Sequence, residues 1–194
     1  MAVRPSLPAG FDAAFDTARA SVFRLETLQA YGNSGEDPAL DAFVDGQPYV
    51  LTPGKRSWTS LVRDRRRAGC AMERVHVVTE PLTEYALFEL TWGYTPNVRA
   101  GEDIRIIPVG EGEHWPATLP RDTDFWLFDA STLYAMRYHQ DGSWLGVDLV
   151  TDPYDIDQAV TWRDTALRLG IPWADYIRGR PHLERLVESI PRAS

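Results

Sequence analysis

The chain lacks most of the residues and motifs that mark common classes of enzyme. Its one cysteine, Cys70, excludes an intrachain disulfide and a CxxC zinc site. Its four histidines show no HxH, HxxxH or HExxH spacing, and the chain has neither a P-loop nor a GxSxG motif. No apolar run is long enough for a signal peptide or a membrane span. We therefore expect a cytoplasmic protein without an intrinsic metal site or cofactor.

Positive charge is also scarce. The chain has 28 acidic and 20 basic residues, for a formal net charge of −8, which argues against direct binding of nucleic acid. The exception is the arginine run at 63–67, which we interpret as the solvated end of a helix. Apolar residues make up 44% of the 194 residues, enough for one substantial core. We expect a flexible arm over residues 1–10 and a single α/β domain over residues 11–194.

The hydrophobic pattern predicts a mixed α/β fold. An apolar stripe from Phe11 to Leu28 favours a first helix, and Asp45–Gly46 favours a hairpin within 42–51. Further helices are predicted at 56–68, 81–93 and 154–169, and strands at 74–78, 102–109, 124–129, 132–139 and 144–150. Strands 74–78 and 102–109 flank a helix and should be parallel. The prediction is a single sheet of five to six strands with a βαβ unit and a C-terminal antiparallel hairpin, flanked by helices.

The stretch DTDFWLFDAST contains two aspartates that resemble an acid–base pair. Alternation along a strand places Asp124 on one face and Asp129 on the other, about 16 Å apart, so they cannot act together. The four apolar residues between them favour a buried central strand. We interpret both aspartates as structural, with Asp129 beginning a turn.

Glu89 is a candidate pocket residue. Tyr85 precedes it by four positions and Trp92 follows it by three, which places all three on one face of a helix. A carboxylate between two aromatic rings is either a residue at the rim of the core or a pocket group with a raised pKa.

The hairpin at 132–150 carries the other candidates. A two-residue turn at Asp141–Gly142 pairs Met136 with Val147 and His139 with Trp144. One face is then core, formed by Tyr134, Met136, Tyr138, Leu145, Val147 and Leu149. The opposite face is either a wet surface or a recognition surface, and it places Trp144 beside Arg137. Its residues are Ala135, Arg137, His139, Trp144, Gly146 and Asp148. The predicted binding residues are Trp144, Arg137, His139, Asp148, Trp92 and Glu89.

A family resemblance rests on the segments FRLETLQAY, RVHVVTEPLTEYALFEL, AGEDIRIIP, DFWLFD and WRDTALRLGIP. In this order they resemble an uncharacterised family of actinobacterial proteins, often encoded beside helix-turn-helix regulators of the Xre type. That resemblance implies a regulatory role with a protein partner. FWLFDASTLYAM, followed by a hairpin and a helix, more distantly resembles half of a phospholipase D-type fold. The HxK pair of those enzymes is absent, so this likeness implies a catalytically dead version.

Two functional hypotheses follow. The first is a non-catalytic binding or regulatory module that pairs with a DNA-binding regulator and binds neither membrane nor nucleic acid. A small-molecule ligand is compatible with this hypothesis. The second is a small cytosolic enzyme that uses Glu89, Arg137 or His139 for proton transfer. An enzyme should show a concave pocket into which these side chains converge, whereas a partner protein should show a flat apolar patch.

Overall fold

The computed structural model describes residues 7–32 and 37–191. Its strands are β1 (Ser21–Glu26), β2 (Ala71–Thr79), β3 (Asp103–Val109), β4 (Phe125–Phe128), β5 (Thr132–Tyr138), β6 (Trp144–Val150) and β7 (Ile171–Pro172). Its helices are α1 (Phe11–Thr17), α2 (Asp37–Val44), α3 (Pro53–Arg67), α4 (Glu84–Phe88), α5 (Tyr94–Ala100), α6 (Pro153–Leu169), α7 (Trp173–Ile177) and α8 (Pro181–Glu188). One π-helical turn, Glu89–Gly93, joins α4 to α5.

The strands form one mixed sheet in the order β6-β5-β4-β1-β2-β3-β7. β1 pairs in parallel with β2, and β2 with β3, while the other neighbours are antiparallel. The predicted βαβ unit is therefore confirmed as β2, the helical segment 84–100, and β3. The C-terminal hairpin is confirmed as β5 and β6.

The predicted count of five to six strands is wrong, because the described residues contain seven. Two strands are missing from the prediction: the central one, β1, in a stretch that we expected to be helical, and the two-residue edge strand β7. The helix stops at Thr17, and the next strand is buried on both faces. Asp129 accepts hydrogen bonds from the backbone N–H groups of Arg19, Ala20 and Ser21, which fixes the start of β1. The spacing of apolar residues across both elements mimics one helical stripe.

Two other boundaries differ from the sequence prediction. Gly46 has φ +64 and donates its N–H to Phe43 O, so it ends helix α2 rather than turning a hairpin at 42–51. The helix predicted to end near Gly93 continues to Ala100 and ends at Gly101, where φ is +108. It begins at Glu84, because the Thr83 hydroxyl accepts the N–H of Ala86.

Helices cover both faces of the sheet. The first face packs against α6 and carries only apolar side chains in its centre, including Phe23, Leu25, Val75, Val77 and Leu127. The second face is apolar at one end, where Val22, Met72 and Phe128 pack with α1 and α3. Alternation then brings Arg24, Glu26, Arg74 and His76 to the second face, towards the ends of β1 and β2. The polar half of this face holds the candidate site.

The hairpin contains a bulge that the prediction did not include. Met136 pairs with Val147 as expected, but Tyr138 pairs with Trp144 instead of Leu145. One extra residue in β6 turns Trp144 to the face of Met136 and Tyr138, and away from that of Arg137. The placement of Trp144 beside Arg137 is therefore wrong. Leu149, expected in the core, is 47% exposed.

None of the helices in the described ranges has the length and apolar character to span a membrane. The longest is α6, with 17 residues.

Replacing Phe23 should test the position of β1 in the core. Phe23 is fully buried and packs beside Phe125, with 5.8 Å between ring centroids. We expect Phe23→Ala to lower the free energy of unfolding by about 3–5 kcal/mol, because it leaves a cavity. Denaturant titration measures this, with Leu149→Ala as the control that should cost less than about 1 kcal/mol. Equal losses would contradict the central position of β1.

Candidate functional site

A chain of buried ion pairs forms the floor of the site. Arg24 donates to Asp124 Oδ2 at 2.9 Å and to Glu26 Oε1 at 3.3 Å. Arg74 donates to Glu26 Oε1 at 2.5 Å and to Glu102 Oε1 at 2.8 Å. All five side chains are buried, on strands β1 and β2 and in the residues directly before β3 and β4. We call these residues the ion network: Arg24, Glu26, Arg74, Glu102 and Asp124.

The network keeps Glu26 ionised. Burial acts to raise the pKa of Glu26, but Arg74 and Arg24 outweigh burial and bring that pKa well below its ordinary value. Glu26 is therefore a fixed counter-charge. It is not poised to donate or accept a proton near neutral pH.

Hydrogen bonds from four residues satisfy Asp124. It accepts from the Arg24 guanidinium, from the backbone N–H and hydroxyl of Thr27, and from the hydroxyls of Tyr31 and Tyr138. Burial raises the pKa of both tyrosines, which stay neutral donors. Asp124 thus joins the end of β1, the segment after it and the hairpin. The sequence interpretation of Asp124 as structural agrees with these contacts.

The Tyr94 hydroxyl lies between two acceptors. It is 2.7 Å from Glu26 Oε2 and 2.8 Å from His76 Nδ1. His76 Nε2 lies 2.9 Å from Leu28 O, and a carbonyl only accepts, so Nε2 carries the ring hydrogen. Burial lowers the pKa of His76, which favours the neutral ring with a bare Nδ1. Three polar contacts therefore connect Glu26, Tyr94, His76 and the Leu28 carbonyl. They share only two hydrogens, one on the Tyr94 hydroxyl and one on His76 Nε2.

A cavity of about 370 Å³ lies above the ion network. Its polar floor includes Arg24, Glu26, Arg74, Tyr94 and Asn97. Its walls are mostly aromatic and apolar, formed by Tyr31, Trp58, Tyr85, Trp126, Met136, Tyr138 and Trp144. The volume falls within the range typical of small-molecule sites, and so does the mixture of apolar walls with a few polar groups.

Guanidinium groups extend the flat walls. Arg24 lies 5.2 Å from the centroid of the Trp126 ring, and Arg74 lies 5.5 Å from that of Tyr94. The cation–π contacts hold both arginines close to the rings while their charges are balanced by carboxylates. The cavity is consequently bounded by planar groups.

Two polar atoms of the floor have no hydrogen-bond partner among the described residues. They are Arg24 Nη1, a donor, and Asn97 Oδ1, an acceptor. Both side chains are nearly fully buried, at 3% and 2% exposed, and both residues line the cavity. Both atoms have almost no accessible surface, so they are buried polar groups that the fold itself leaves without a partner.

The predicted binding residues do not converge in one place. Glu89 and Trp144 line the cavity. Arg137 and Asp148 form a half-exposed ion pair of 2.8 Å on the opposite face of the hairpin, and His139 is exposed at its end. Trp92 packs against Phe43, Tyr49 and Phe88 beside a much smaller cavity. Of the three side chains that the enzyme hypothesis offers, Glu89, Arg137 and His139, Glu89 lines the cavity and the other two do not.

Sequence reasoning missed the residues of the floor. Arg24 and Glu26 stand in SVFRLE, and Arg74 and His76 in ERVHVV, where charged residues alternate with buried apolar ones. That alternation was the available signal, but it was hidden for β1 by the helical interpretation of 11–28. Within the described residues, no group of three or more His, Cys, Asp or Glu is placed to hold a metal ion.

The family model for "Domain of unknown function (DUF6879)" matches residues 9–178. The chain belongs to this family. The predicted membership of an uncharacterised family is confirmed, while the actinobacterial origin and the neighbouring regulators stay predictions. No curated protein matches the DUF6879 chain.

The DUF6879 chain is also similar to a solved structure, a phospholipase D family member, Nuc from Salmonella typhimurium. The two share 9% sequence identity with a TM-score of 0.46, over 82% of this chain and 86% of the other. This is a distant structural link to the phospholipase D fold, and we draw no functional conclusion from it.

Breaking the ion network should destabilise the fold far more than breaking the surface ion pair between Arg137 and Asp148. We expect Asp124→Ala to lower the free energy of unfolding by about 3–5 kcal/mol, because it removes the nearer of the two carboxylates that pair with the buried Arg24 charge. The matched control, Asp148→Ala, removes the exposed partner of Arg137 and should cost about 0–1 kcal/mol. Chemical denaturation of both variants measures the difference. Similar losses would show that the network contributes no more than a surface ion pair.

Stability should fall as the pH falls below about 6.5, the ordinary pKa of histidine. The pKa of His76 is lowered in the fold, so the unfolded chain takes up a proton that the folded chain does not, and acid favours unfolding. Melting temperatures between pH 7 and pH 5 measure this slope. His76→Gln, which cannot titrate, should show a flatter slope, and an unchanged slope would contradict the neutral state of His76.

Proposed function

We propose that the DUF6879 domain is a non-catalytic binding module whose cavity takes a small, flat, largely apolar molecule. The observation that carries this proposal is the cavity of about 370 Å³ between aromatic walls and an ion network that is already paired. A concave site of this size and lining is what a small molecule requires. A protein partner alone would need a flatter apolar patch.

The state of the polar groups favours binding over catalysis. Glu26 is held ionised by two arginines, and both ring nitrogens of His76 have contacts inside the fold. A general acid or base needs a pKa near the working pH and a free path to the substrate. Cys70 is fully buried in the apolar cluster beside the cavity and does not line the cavity itself. These groups therefore support a scaffold that shapes the cavity.

The wider role follows the sequence hypothesis. A ligand-binding module could act as the sensory input of a DNA-binding regulator in the cytoplasm, as the gene context implied by the family resemblance suggests. This partnership and this location stay predictions. The cavity adds to this hypothesis a small molecule as the signal that the module would sense.

Filling the cavity should abolish ligand binding without unfolding the protein. Met136 is a half-buried wall residue, and Met136→Trp would occupy the space between the walls. Leu149→Trp on the same hairpin is the matched control, because Leu149 is 47% exposed and lies outside the cavity. Binding of uncharged bicyclic aromatic fragments is followed by the fluorescence of the wall tryptophans.

We expect saturable quenching in the wild type and in Leu149→Trp, and its loss in Met136→Trp. Melting curves establish that both variants fold. Equal binding by Met136→Trp and the wild type, or no binding by the wild type to any fragment, would contradict the proposed function.

A further inference from the structure

The ion network carries more negative than positive charge. Its charges alternate from Asp124 at one end to Glu102 at the other, so three carboxylates share two guanidinium groups and the net charge is −1. Among the described residues, two more charged side chains line the cavity: Glu89, which is 6% exposed, and Lys55, which is half-buried. Their formal charges cancel, so the surroundings of the cavity keep the negative excess. A positively charged ligand would offset this excess, which is costly where water is excluded.

The carboxylates at the two ends of the network act on the aromatic walls. Trp58 donates its indole N–H to Glu102 Oε2 at 2.9 Å, and Tyr31 donates its hydroxyl to Asp124 Oδ2 at 2.7 Å. Both rings line the cavity. A hydrogen bond to a carboxylate polarises the donor group and makes its ring richer in electrons. The negative face of such a ring attracts a cation more strongly.

The protein already places cations against these walls. The two guanidinium groups of the floor lie 5.2 to 6.0 Å from the ring centroids of Trp58, Tyr94 and Trp126. Each guanidinium is in contact with two carboxylates, which offset its repulsion of a further cation. Tyr138 and Trp144 also line the cavity and are half-buried, so their rings are available to a ligand.

Desolvation restricts the kind of cation. A compact ammonium group is strongly hydrated and loses much of that hydration in a cavity with aromatic walls. A positive charge that is spread over a planar ring system is weakly hydrated, and its flat face stacks on aromatic side chains. The cavity volume of about 370 Å³ is near the lower end of the range for small-molecule sites, which suits a molecule of few rings.

We propose that the ligand of this cavity is a planar organic cation whose positive charge is spread over a small aromatic ring system. This inference rests on the proposed function and adds to it the charge and the chemical class of the ligand. The aromatic walls would supply most of the contact area, and the surplus carboxylate charge would supply the preference for a cation.

Three bicyclic probes of similar size test the class. N-methylquinolinium carries a permanent positive charge, N-methylquinolin-2-one is uncharged, and 2-naphthoate is negatively charged. We expect N-methylquinolinium to bind about tenfold more tightly than N-methylquinolin-2-one, because the rings and the negative excess both favour it. 2-Naphthoate should bind about tenfold more weakly than the uncharged probe. Isothermal titration calorimetry gives the three dissociation constants.

Three variants locate the charge that produces the preference. We expect Glu89→Gln to lower the ratio of the uncharged probe's dissociation constant to that of N-methylquinolinium by about threefold, and Lys55→Gln to raise it by about threefold. The matched control is Asp148→Asn, which removes the same formal charge as Glu89→Gln from the opposite face of the hairpin and should leave the ratio unchanged. Melting curves establish which variants fold. If Glu89→Gln does not fold, the half-buried Lys55 and the control decide.

The two proposals can fail separately. If the uncharged probe or 2-naphthoate binds the wild type as tightly as N-methylquinolinium does, the ligand is not a cation, while the cavity remains a binding site. A ratio that Lys55→Gln and folded Glu89→Gln leave unchanged would also overturn the inference. If none of the three probes, nor any uncharged bicyclic fragment, binds saturably, the proposed function fails and the ligand class fails with it.

Discussion

Arg24 is placed between two carboxylates in the middle of the sheet, and the candidate site depends on that position. A buried guanidinium needs partners, which are Glu26 in β1 itself and Asp124, the residue before β4. Glu26 in turn holds Arg74 on the next strand, and Arg74 holds Glu102 at the start of β3. One chain of charges thus links four neighbouring strands. A change in the position of one charged residue therefore affects the residues on the neighbouring strands.

Polar contacts at the edges of the aromatic rings help to keep the cavity open. A half-buried tryptophan beside an open cavity would ordinarily favour collapse of the walls onto each other. Here Trp58 donates its indole N–H to Glu102 at 2.9 Å, and Trp144 donates to Gly146 O at 3.0 Å. Each ring is therefore fixed by a polar bond at its edge while its face stays available. The ion network and the rings together maintain a space that apolar packing alone would close.

The sequence predicts the outer parts of this fold better than its centre. The βαβ unit, the C-terminal hairpin and helix α6 follow from periodicity and turn residues, because each is a local pattern. β1 could not be recognised from its own residues, since its apolar spacing continues that of α1. Its identity comes from partners far along the chain, the N–H groups bound by Asp129 and the carboxylate of Asp124. The prediction of the site contains the same error, because Arg24 and Glu26 fall within the helix that the apolar stripe from Phe11 to Leu28 predicts.

The π-helical turn Glu89–Gly93 sets which residues of the long helical segment reach the cavity. An inserted residue rotates everything that follows it by about 100°. Glu89, Tyr94 and Asn97 all line the cavity with this extra residue present. A family member shorter by one residue here would direct Tyr94 and Asn97 elsewhere, and His76 would lose its hydroxyl partner. The length of this turn is thus a marker that would divide the family into members with different cavity linings, even where the strands are alike.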